Sequence, residues 1–253
     1  MDQTLARGMA LLEILSAADR PLGVSDLARQ ARTTKSSTHR YLQTLVQLGY
    51  AANREGQYAA TLRVWHLGSR VIERLDLRRV VRPIMDRLAQ STLETVHLAI
   101  FDGLEICYID KAEGVHSIRA YAEIGGRAPA HCVSAGKIFM AFHPPALAAV
   151  LEAPRRRFTQ RTMTDKAAIR REATAVRQRG IAVNRGEWEP DVCGISAPIW
   201  NADGQLAAAI GLTLPSLRFT AASRQRLSDS VRHAAREASH ALGAPSEQQA
   251  DVA

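Results

Sequence analysis

The beginning of the chain has the apolar spacing of an amphipathic helix. Apolar residues recur at three- and four-residue intervals, at Leu5, Met9, Leu12 and Leu15. This spacing predicts a first helix that ends before the turn-rich run at 19–23. A short second helix is expected to follow as far as Ala31, with Ser25 as its N-cap.

A third helix and a hairpin are predicted next. Thr33 or Thr34 can cap a helix that runs to Leu48, and Gly49 supplies the left-handed residue that ends many helices. Two short strand patterns then flank the turn at 53–56. Three helices followed by a hairpin indicate a winged helix-turn-helix in residues 1–61.

A helical pattern continues after the hairpin without a linker rich in proline or glycine, and it predicts a connecting helix over 62–78. Its apolar positions are Leu62, Trp65, Val71 and Ile72. An apolar helix surface beside a single DNA-reading head predicts a homodimer, because one helix-turn-helix reads only a half-site.

Residues 79–243 mix helical and strand patterns. Helices are expected near 79–90, 135–142, 145–151, 165–179 and 221–242, and strands near 95–101, 105–110, 117–122, 195–200 and 205–214. Asp-Gly pairs at 102–103 and 203–204 favour hairpins between the strands. The predicted fold class is therefore α+β with a largely antiparallel sheet. The polar tail at 244–253 is expected to be loose.

One face of the third helix is polar and the other is apolar. The polar face carries Ser36, His39, Arg40, Gln43 and Gln47. Leu42, Leu45 and Val46 should point toward the first two helices. A helix of this kind fits the major groove of double-stranded DNA.

The electrostatics of this region favour DNA as the partner. No acidic residue lies between Asp26 and Glu55, whereas basic residues recur throughout that window. Arginine can bond guanine in bidentate fashion, and lysine and hydroxyl groups reach phosphate oxygens. The candidate DNA contacts are Ser25, Thr34, Lys35, Ser36, Ser37, His39, Arg40, Gln43 and, on the wing, Arg54.

Composition supports this picture without deciding it. The chain has 253 residues, 46% of them apolar, which is enough for two packed domains. Its net charge of +8 favours an anionic partner but describes encounter more directly than function. The three widely spaced cysteines form no CxxC pair, and no signal or membrane-spanning segment is visible. We expect a cytoplasmic protein with no cofactor and no metal.

Several segments resemble the IclR family of bacterial regulators. They are Lys35–Leu45, Gly125–Cys132 leading into Ser134–Lys137, Gly180–Glu187, Ile195–Pro198, and Ile210–Thr213 after Gly204. The resemblance runs in order from about Leu5 to Leu242. It implies a winged helix-turn-helix, a linker helix and a GAF-like effector-binding domain, working as a dimer or a dimer of dimers on an operator. It also implies a small effector, often a carboxylate, and the expected role is that of a repressor of a catabolic operon.

The resemblance also implies an effector pocket. The positions carried over by motif are Ile118, Ala128, Asn184, Gly194, Gly211 and Thr213. Cys193, adjacent to the pocket-facing strand, is a further candidate. Two departures from the family pattern bear on local structure. Thr33-Thr34 stands where an apolar residue and a proline are usual, and Asp191 replaces a frequent glycine.

Enzyme readings are weaker. Gly136-Lys137 lacks the spacing of a phosphate-binding loop, because His131 and Ile138 occupy the positions where glycine and a hydroxyl residue are required. His131 beside Cys132 suggests a thiol nucleophile only if a base is oriented toward the sulfur. The alternative that remains is a GAF-like small-molecule enzyme with an accessory nucleic-acid-binding domain.

Overall fold

The computed structural model describes residues 3–73, 77–116 and 123–244. The chain divides into two compact units, Met1–Leu75 and Asp76–Ala253. The predicted strand at 117–122, Val71 and Ile72 of the predicted apolar surface, and nearly all of the predicted tail lie outside the described residues or side chains. None of the described helices is both long and apolar enough to cross a membrane.

The first unit consists of helices around a small sheet. Its elements are α1 (Gln3–Ser16), β1 (Leu22–Gly23), α2 (Val24–Gln30), α3 (Lys35–Gln47), β2 (Ala51–Arg54), β3 (Gln57–Ala60) and α4 (Leu62–Glu73). The three strands pair antiparallel in the order β1-β3-β2. Leu11, Leu27 and Leu42 are fully buried between the helices. The predicted winged helix-turn-helix is confirmed.

The tip of the wing is a two-residue turn with left-handed backbone. Glu55 has φ 53° and Gly56 has φ 80°, and the Gly56 amide donates to the Asn53 side-chain oxygen at 3.0 Å. Two consecutive positive φ values match the right-handed twist of the flanking strands. This turn fixes the register in which Arg54 lies opposite Gln57.

Local capping confirms one sequence prediction and corrects another. Thr34 caps α3, because its hydroxyl accepts a hydrogen bond from the Ser37 amide at 3.3 Å, and Gly49 follows the helix with φ 77°. The prediction that Ser25 caps α2 is wrong. The cap position is Gly23, because Leu22 and Gly23 pair with β3 and the helix begins directly afterwards. Ser25 lies exposed in the first turn.

The second unit is a six-stranded antiparallel sheet with helices on both faces. Its elements are α5 (Leu77–Thr92), β4 (Thr95–Asp102), β5 (Glu105–Ala112), β6 (Arg127–Pro129), α6 (Ser134–Phe142), α7 (Pro144–Glu152), α8 (Lys166–Arg179), β7 (Ala182–Arg185), β8 (Val192–Trp200), β9 (Leu206–Pro215) and α9 (Ala221–Ala241). The strand order is β6-β5-β4-β9-β8-β7. The predicted α+β class with an antiparallel sheet is confirmed, although neither of the two short edge strands, β6 and β7, was predicted from the sequence.

The two faces of the sheet bury different kinds of side chain. Ile195, Ile199, Ile210 and Leu212 point to the face covered by α5 and α9 and are almost completely buried. The intervening residues face α6 and are small or polar, among them Ser196 and Gly211. Because side chains alternate along a strand, one face can form a dense apolar core while the other leaves space.

Two buried carboxylates tie helices to this sheet. Asp110 on β5 is 2% exposed and pairs with Arg78 at 3.3 Å and with Arg82 at 3.1 Å, both on α5. Glu94 accepts two hydrogen bonds of 2.7 Å from the guanidinium of Arg218. Charges taken out of water need such partners, so these pairs fix where α5 begins and where the loop after β9 lies.

Truncation of the dense face should cost far more stability than truncation of an exposed apolar residue. Ile195→Ala removes buried methyl groups where neighbouring elements cannot collapse, and we expect a loss of about 2–5 kcal/mol in the free energy of unfolding. Ile124→Ala, at a residue 49% exposed, should change it by less than about 0.5 kcal/mol. Urea unfolding followed through the fluorescence of Trp188 and Trp200 measures both. Similar losses in the two variants would contradict this packing.

Candidate functional site

The polar face predicted for α3 is exposed in the structure. Ser36, His39, Arg40, Gln43 and Gln47 are all exposed, whereas Tyr41, Leu42 and Leu45 are buried against the rest of the unit. The helix therefore presents one continuous strip of hydrogen-bonding side chains to solvent. A strip of this width is what a reading helix needs in a major groove.

Hydroxyl groups gather at the N-terminus of α3. The Thr34 hydroxyl lies 3.2 Å from the Ser36 hydroxyl and 3.0 Å from the Ser37 hydroxyl, and Lys35 is exposed beside them. The first turn contains no acidic residue. Free amides, hydroxyls and a lysine at the positive end of a helix form a favourable environment for a phosphate.

Arg40 is held near its own helix by the neighbouring tyrosine. Its guanidinium lies 5.5 Å from the centre of the Tyr41 ring. Hydrogen bonds from Arg7 and then from Arg40 lower the pKa of the Tyr41 phenol. Arg7, exposed on α1, therefore joins this cationic cluster. Sequence reasoning missed Arg7 and Tyr41, because the approach of α1 to α3 depends on the tertiary fold.

The other candidate DNA contacts surround the strip. Arg54 is exposed at the end of β2, and Ser25 is exposed on α2. Arg29 is less available than the acid-free window suggested, because it pairs with Asp26 at 2.6 Å. The positive charge of this surface therefore comes from Lys35, Arg40 and Arg54, together with Arg7 on α1.

In the second unit, two small cavities lie between α6 and the sheet. Their volumes are about 30 and 10 Å³, and Tyr108, Ser134 and Thr213 contribute to the walls of both. Two open clefts of about 500 and 510 Å³ lie elsewhere on this unit, but neither is lined by Asn184, Gly211 or Thr213. The small cavities are the ones that correspond to the predicted pocket.

Neutral hydrogen-bonding groups surround these cavities. The Ser134 amide donates to the Asn184 side-chain oxygen at 3.2 Å, and the hydroxyls of Ser134 and Ser196 share a hydrogen bond of 2.8 Å. Thr213 and the Nδ1 atom of His97 are 3.1 Å apart. Burial raises the pKa of Tyr108 above its ordinary value, so its phenol stays protonated and can donate.

Two glycines make the close approach of α6 to the sheet possible. A Cβ on Gly194 would lie 2.4 Å from the Asn184 side-chain oxygen and 2.8 Å from the Ser134 hydroxyl. A Cβ on Gly211 would lie 2.2 Å from the Ser196 hydroxyl and 2.4 Å from the Ile195 carbonyl oxygen. Any side chain at these positions would displace the polar groups around the cavity.

The residues predicted for the pocket divide into those that meet there and those that do not. Asn184, Gly211 and Thr213 line the cavities, and Gly194 pairs with both Asn184 and Thr213 in the sheet. Cys193 packs in the apolar core on the opposite face of β8, and Ala128 is buried on β6 and does not itself line the two cavities. Ile118 lies outside the described residues.

Other polar residues of the cavity were not singled out from the sequence. They are His97, Tyr108, Ser134, Trp188, Glu189 and Ser196. For His97 and Ser196 the available signal was the alternation of small or polar residues with large apolar ones along β4 and β8. Asp191 takes no left-handed backbone, and its carbonyl accepts from the Ser216 amide at 2.8 Å.

The geometry around Cys132 gives no support to a thiol nucleophile. The His131 ring nitrogen Nε2 bonds the Arg156 carbonyl at 3.1 Å, and burial lowers the pKa of this histidine. Burial also raises the pKa of Cys132 to about 12, which keeps the thiol protonated at neutral pH. Among the residues that the structure describes, no group of three or more His, Cys, Asp or Glu side chains could hold a metal ion.

Comparison with known proteins decides the family. The profile described as the IclR helix-turn-helix domain matches residues 4–55, and the profile described as the C-terminal domain of the bacterial transcriptional regulator IclR matches residues 69–240. The chain belongs to the IclR family of bacterial transcriptional regulators. An IclR-type protein is a DNA-binding transcriptional regulator with an N-terminal helix-turn-helix and a C-terminal effector-binding domain.

Individual relatives of this IclR-family chain agree over nearly its full length. It is 31% identical to the HTH-type transcriptional regulator KdgR of Escherichia coli over 230 residues, which are 89% of this chain and 87% of KdgR. It is 30% identical over 250 residues to the E. coli DNA-binding transcriptional repressor YiaJ, covering 95% and 88% of the two chains. An IclR homologue from Microbacterium hydrocarbonoxydans, solved in complex with 4-hydroxybenzoate, superposes with a TM-score of 0.84 at 27% identity and covers 95% of this chain and 99% of its own.

Proposed function

We propose that this protein represses a catabolic operon and that a small organic acid changes its affinity for the operator. The observation that carries the proposal is the exposed polar strip of α3, which has hydroxyl and cationic groups at its N-terminus. The name of YiaJ supports repression, and the 4-hydroxybenzoate complex of the Microbacterium homologue supports an organic acid as effector.

The side chains of the strip are expected to contact different parts of the DNA. Arg40 and Gln43 stand on the outward face of α3, where side chains meet base edges in the major groove. Phosphate groups would be bound by Lys35, by the hydroxyls of Thr34, Ser36 and Ser37, and by Arg54 on the wing. His39 lies between these groups on the exposed face and can donate to either.

A homodimer is part of the proposal because α4 exposes apolar side chains. Leu62 is 83% exposed, Trp65 is 69% exposed and Leu67 is 56% exposed. Exposed aromatic and leucine side chains on one helix favour burial against a second copy. Two copies would present two reading helices to a two-fold symmetric operator.

The cavity chemistry suits a small carboxylate held by neutral donors. The hydroxyls of Ser196, Thr213 and Tyr108 can each donate to a carboxylate oxygen, and such charge-assisted hydrogen bonds are the stronger ones. Among the described residues that line the two cavities, there is no arginine or lysine. Arg127, at the far end of the sheet, is paired with Asp102 and Glu105, each at 2.7 Å.

Binding must enlarge the cavity, and this provides a route to regulation. A volume of about 30 Å³ holds little more than a water molecule, so an acid must displace part of the wall. Trp188, Glu189 and Val192 form the wall between β7 and β8. A ligand that binds the enlarged arrangement more tightly shifts the population toward it, and only such a difference can change DNA affinity.

Catalysis is not part of the proposal. The Ser134 hydroxyl bonds Ser196 rather than a base, and the Cys132 thiol is protonated. The relatives are named as regulators.

Removal of single arginines should separate base reading from phosphate contact. If Arg40 bonds a base, Arg40→Ala should weaken operator binding by about 1–3 kcal/mol and relax specificity at one position. Arg54→Ala should weaken binding to all DNA sequences alike, and it should lower the slope of log affinity against log salt concentration by about 1. Fluorescence anisotropy with labelled duplexes measures both, and Arg171→Ala on α8 is the matched control. Equal wild-type affinity for operator and random DNA at physiological salt would contradict the proposal.

Placing a charge on the exposed face of α4 should disrupt the dimer. We expect light scattering to give a dimer or a dimer of dimers for the wild type at micromolar concentration. Trp65→Asp should shift the mass toward monomer, because a desolvated carboxylate opposes association. Leu104→Asp at a hairpin tip, 44% exposed, serves as the control for an added charge. A wild-type protein that is monomeric with and without DNA would refute dimerisation.

Loss of one hydroxyl should weaken binding of the effector without changing the operator affinity of the ligand-free protein. Thr213→Val keeps the side-chain shape and removes a donor to the carboxylate, so we expect affinity for the acid to fall about tenfold or more. Calorimetry with a panel of aromatic and short-chain carboxylates, 4-hydroxybenzoate included, identifies a binder for the operator assay. Ligand-free operator affinity should be unchanged, and Thr174→Val on α8 should behave as wild type. If no acid binds, or one binds without altering operator affinity, the sensor role is wrong.

A further inference from the structure

A cleft separate from the effector cavity opens beside the edge strand β7. Its volume is about 510 Å³, and α8, β7 and the first half of α9 contribute to its walls. Val183 and Arg185 face this cleft, whereas Asn184 between them faces the effector cavity. Alternation along β7 therefore places the two spaces on opposite sides of one strand.

Positive charge dominates the lining. Arg179, Arg185, Arg224, Arg232 and Lys137 line the cleft, against Glu172 and Glu187. Three of the cations form ion pairs within the protein. Lys137 pairs with Glu187 at 2.7 Å, Arg179 with Glu172 at 3.3 Å and Arg232 with Asp229 at 3.0 Å. Guanidinium groups present planar forks of donors that match phosphate oxygens.

Two arginines keep their donors available. Arg224 makes no side-chain hydrogen bond or ion pair with any residue that the structure describes. The Arg185 guanidinium stacks on the Phe219 ring at 5.3 Å, and its side-chain donors bond no other described residue. Stacking orients the fork of Arg185 while leaving its N–H groups for a ligand.

The position of Arg224 is unfavourable without an anion. It lies in the first turn of α9, which contains no acidic residue, near the positive end of the helix dipole. A cation in that position is repelled by the dipole, whereas an anion is stabilised there. A bound anion would offset the repulsion and pair with the guanidinium at the same time.

One buried polar atom of the lining has no partner among the described residues. Glu187 is 8% exposed, and its Oε2 atom is buried without a hydrogen-bond partner. Ser228 also lines the cleft, and a helical serine can bond either the carbonyl one turn earlier or a group in the cleft. Buried polar groups normally have partners, so the Glu187 carboxylate indicates a ligand that carries a hydroxyl group.

We propose that this cleft is a second ligand site and that it takes a phosphate monoester of a small hydroxylated molecule, such as a sugar phosphate. The phosphate lies between Arg185 and Arg224 near the start of α9. The hydroxyl groups of the ligand reach Ser228 and, after a small shift of the carboxyl group, Glu187. The size of the cleft is in the range of small-molecule sites.

Calorimetry on the full chain tests this with inorganic phosphate and glucose 6-phosphate at constant ionic strength, and with glucose as the uncharged probe. We expect saturable binding of both phosphates, tighter for glucose 6-phosphate, and none of glucose. Arg224→Ala should lower the affinity for both phosphates about tenfold, because a charge-assisted hydrogen bond is lost. Arg224 is exposed, so the variant should fold, and thermal unfolding checks this.

Two controls make the result decisive. Arg226→Ala removes another exposed arginine of α9 that does not line the cleft, and binding should stay within about twofold of wild type. Thr213→Val alters only the effector cavity and should leave phosphate binding unchanged. The proposal is overturned if neither phosphate binds saturably, if both arginine variants lose affinity equally, or if Thr213→Val loses it. None of these outcomes depends on whether an organic acid binds the effector cavity.

Discussion

The alternation of side chains along β4, β8 and β9 is the constraint on which the sensor unit depends. Large aliphatic residues on one face pack against α5 and α9 and provide the apolar burial that stabilises the sheet. The opposite face can therefore carry residues as small as Gly211 and as polar as Ser196 without loss of the core. The small cavities on this face are possible because the stabilising core lies on the other side of the same strands.

The same alternation explains which residues of the candidate site could be predicted from the sequence. Asn184, Gly211 and Thr213 were found through motif resemblance, and their place in the cavity agrees with the strand register. Cys193 was expected to adjoin the pocket-facing strand, but its side chain packs in the apolar core, because neighbours in a strand point to opposite faces. Ser134 and Ser196 meet at 2.8 Å across 62 positions of sequence, a contact that no local pattern encodes.

In the DNA-binding unit, local signals were sufficient for most elements because helix and turn chemistry is local. The hydroxyl of Thr34 and the left-handed Gly49 mark the two ends of α3, and the turn at Glu55 and Gly56 defines the wing. Ser25 failed as a cap because the two-residue strand β1 is stabilised by pairing with β3, a contact distant in sequence. The exposed strip on α3 followed directly from helical periodicity.

The most direct test of the central claim, that the exposed strip of α3 reads DNA sequence, is selection from a random duplex library by the purified full-length protein, followed by sequencing. The account predicts an enriched two-fold symmetric motif with half-sites spaced by whole helical turns, about 10 base pairs or a multiple apart. Enrichment of no motif, with retention that depends only on salt, would show binding to the phosphate backbone alone and would contradict it.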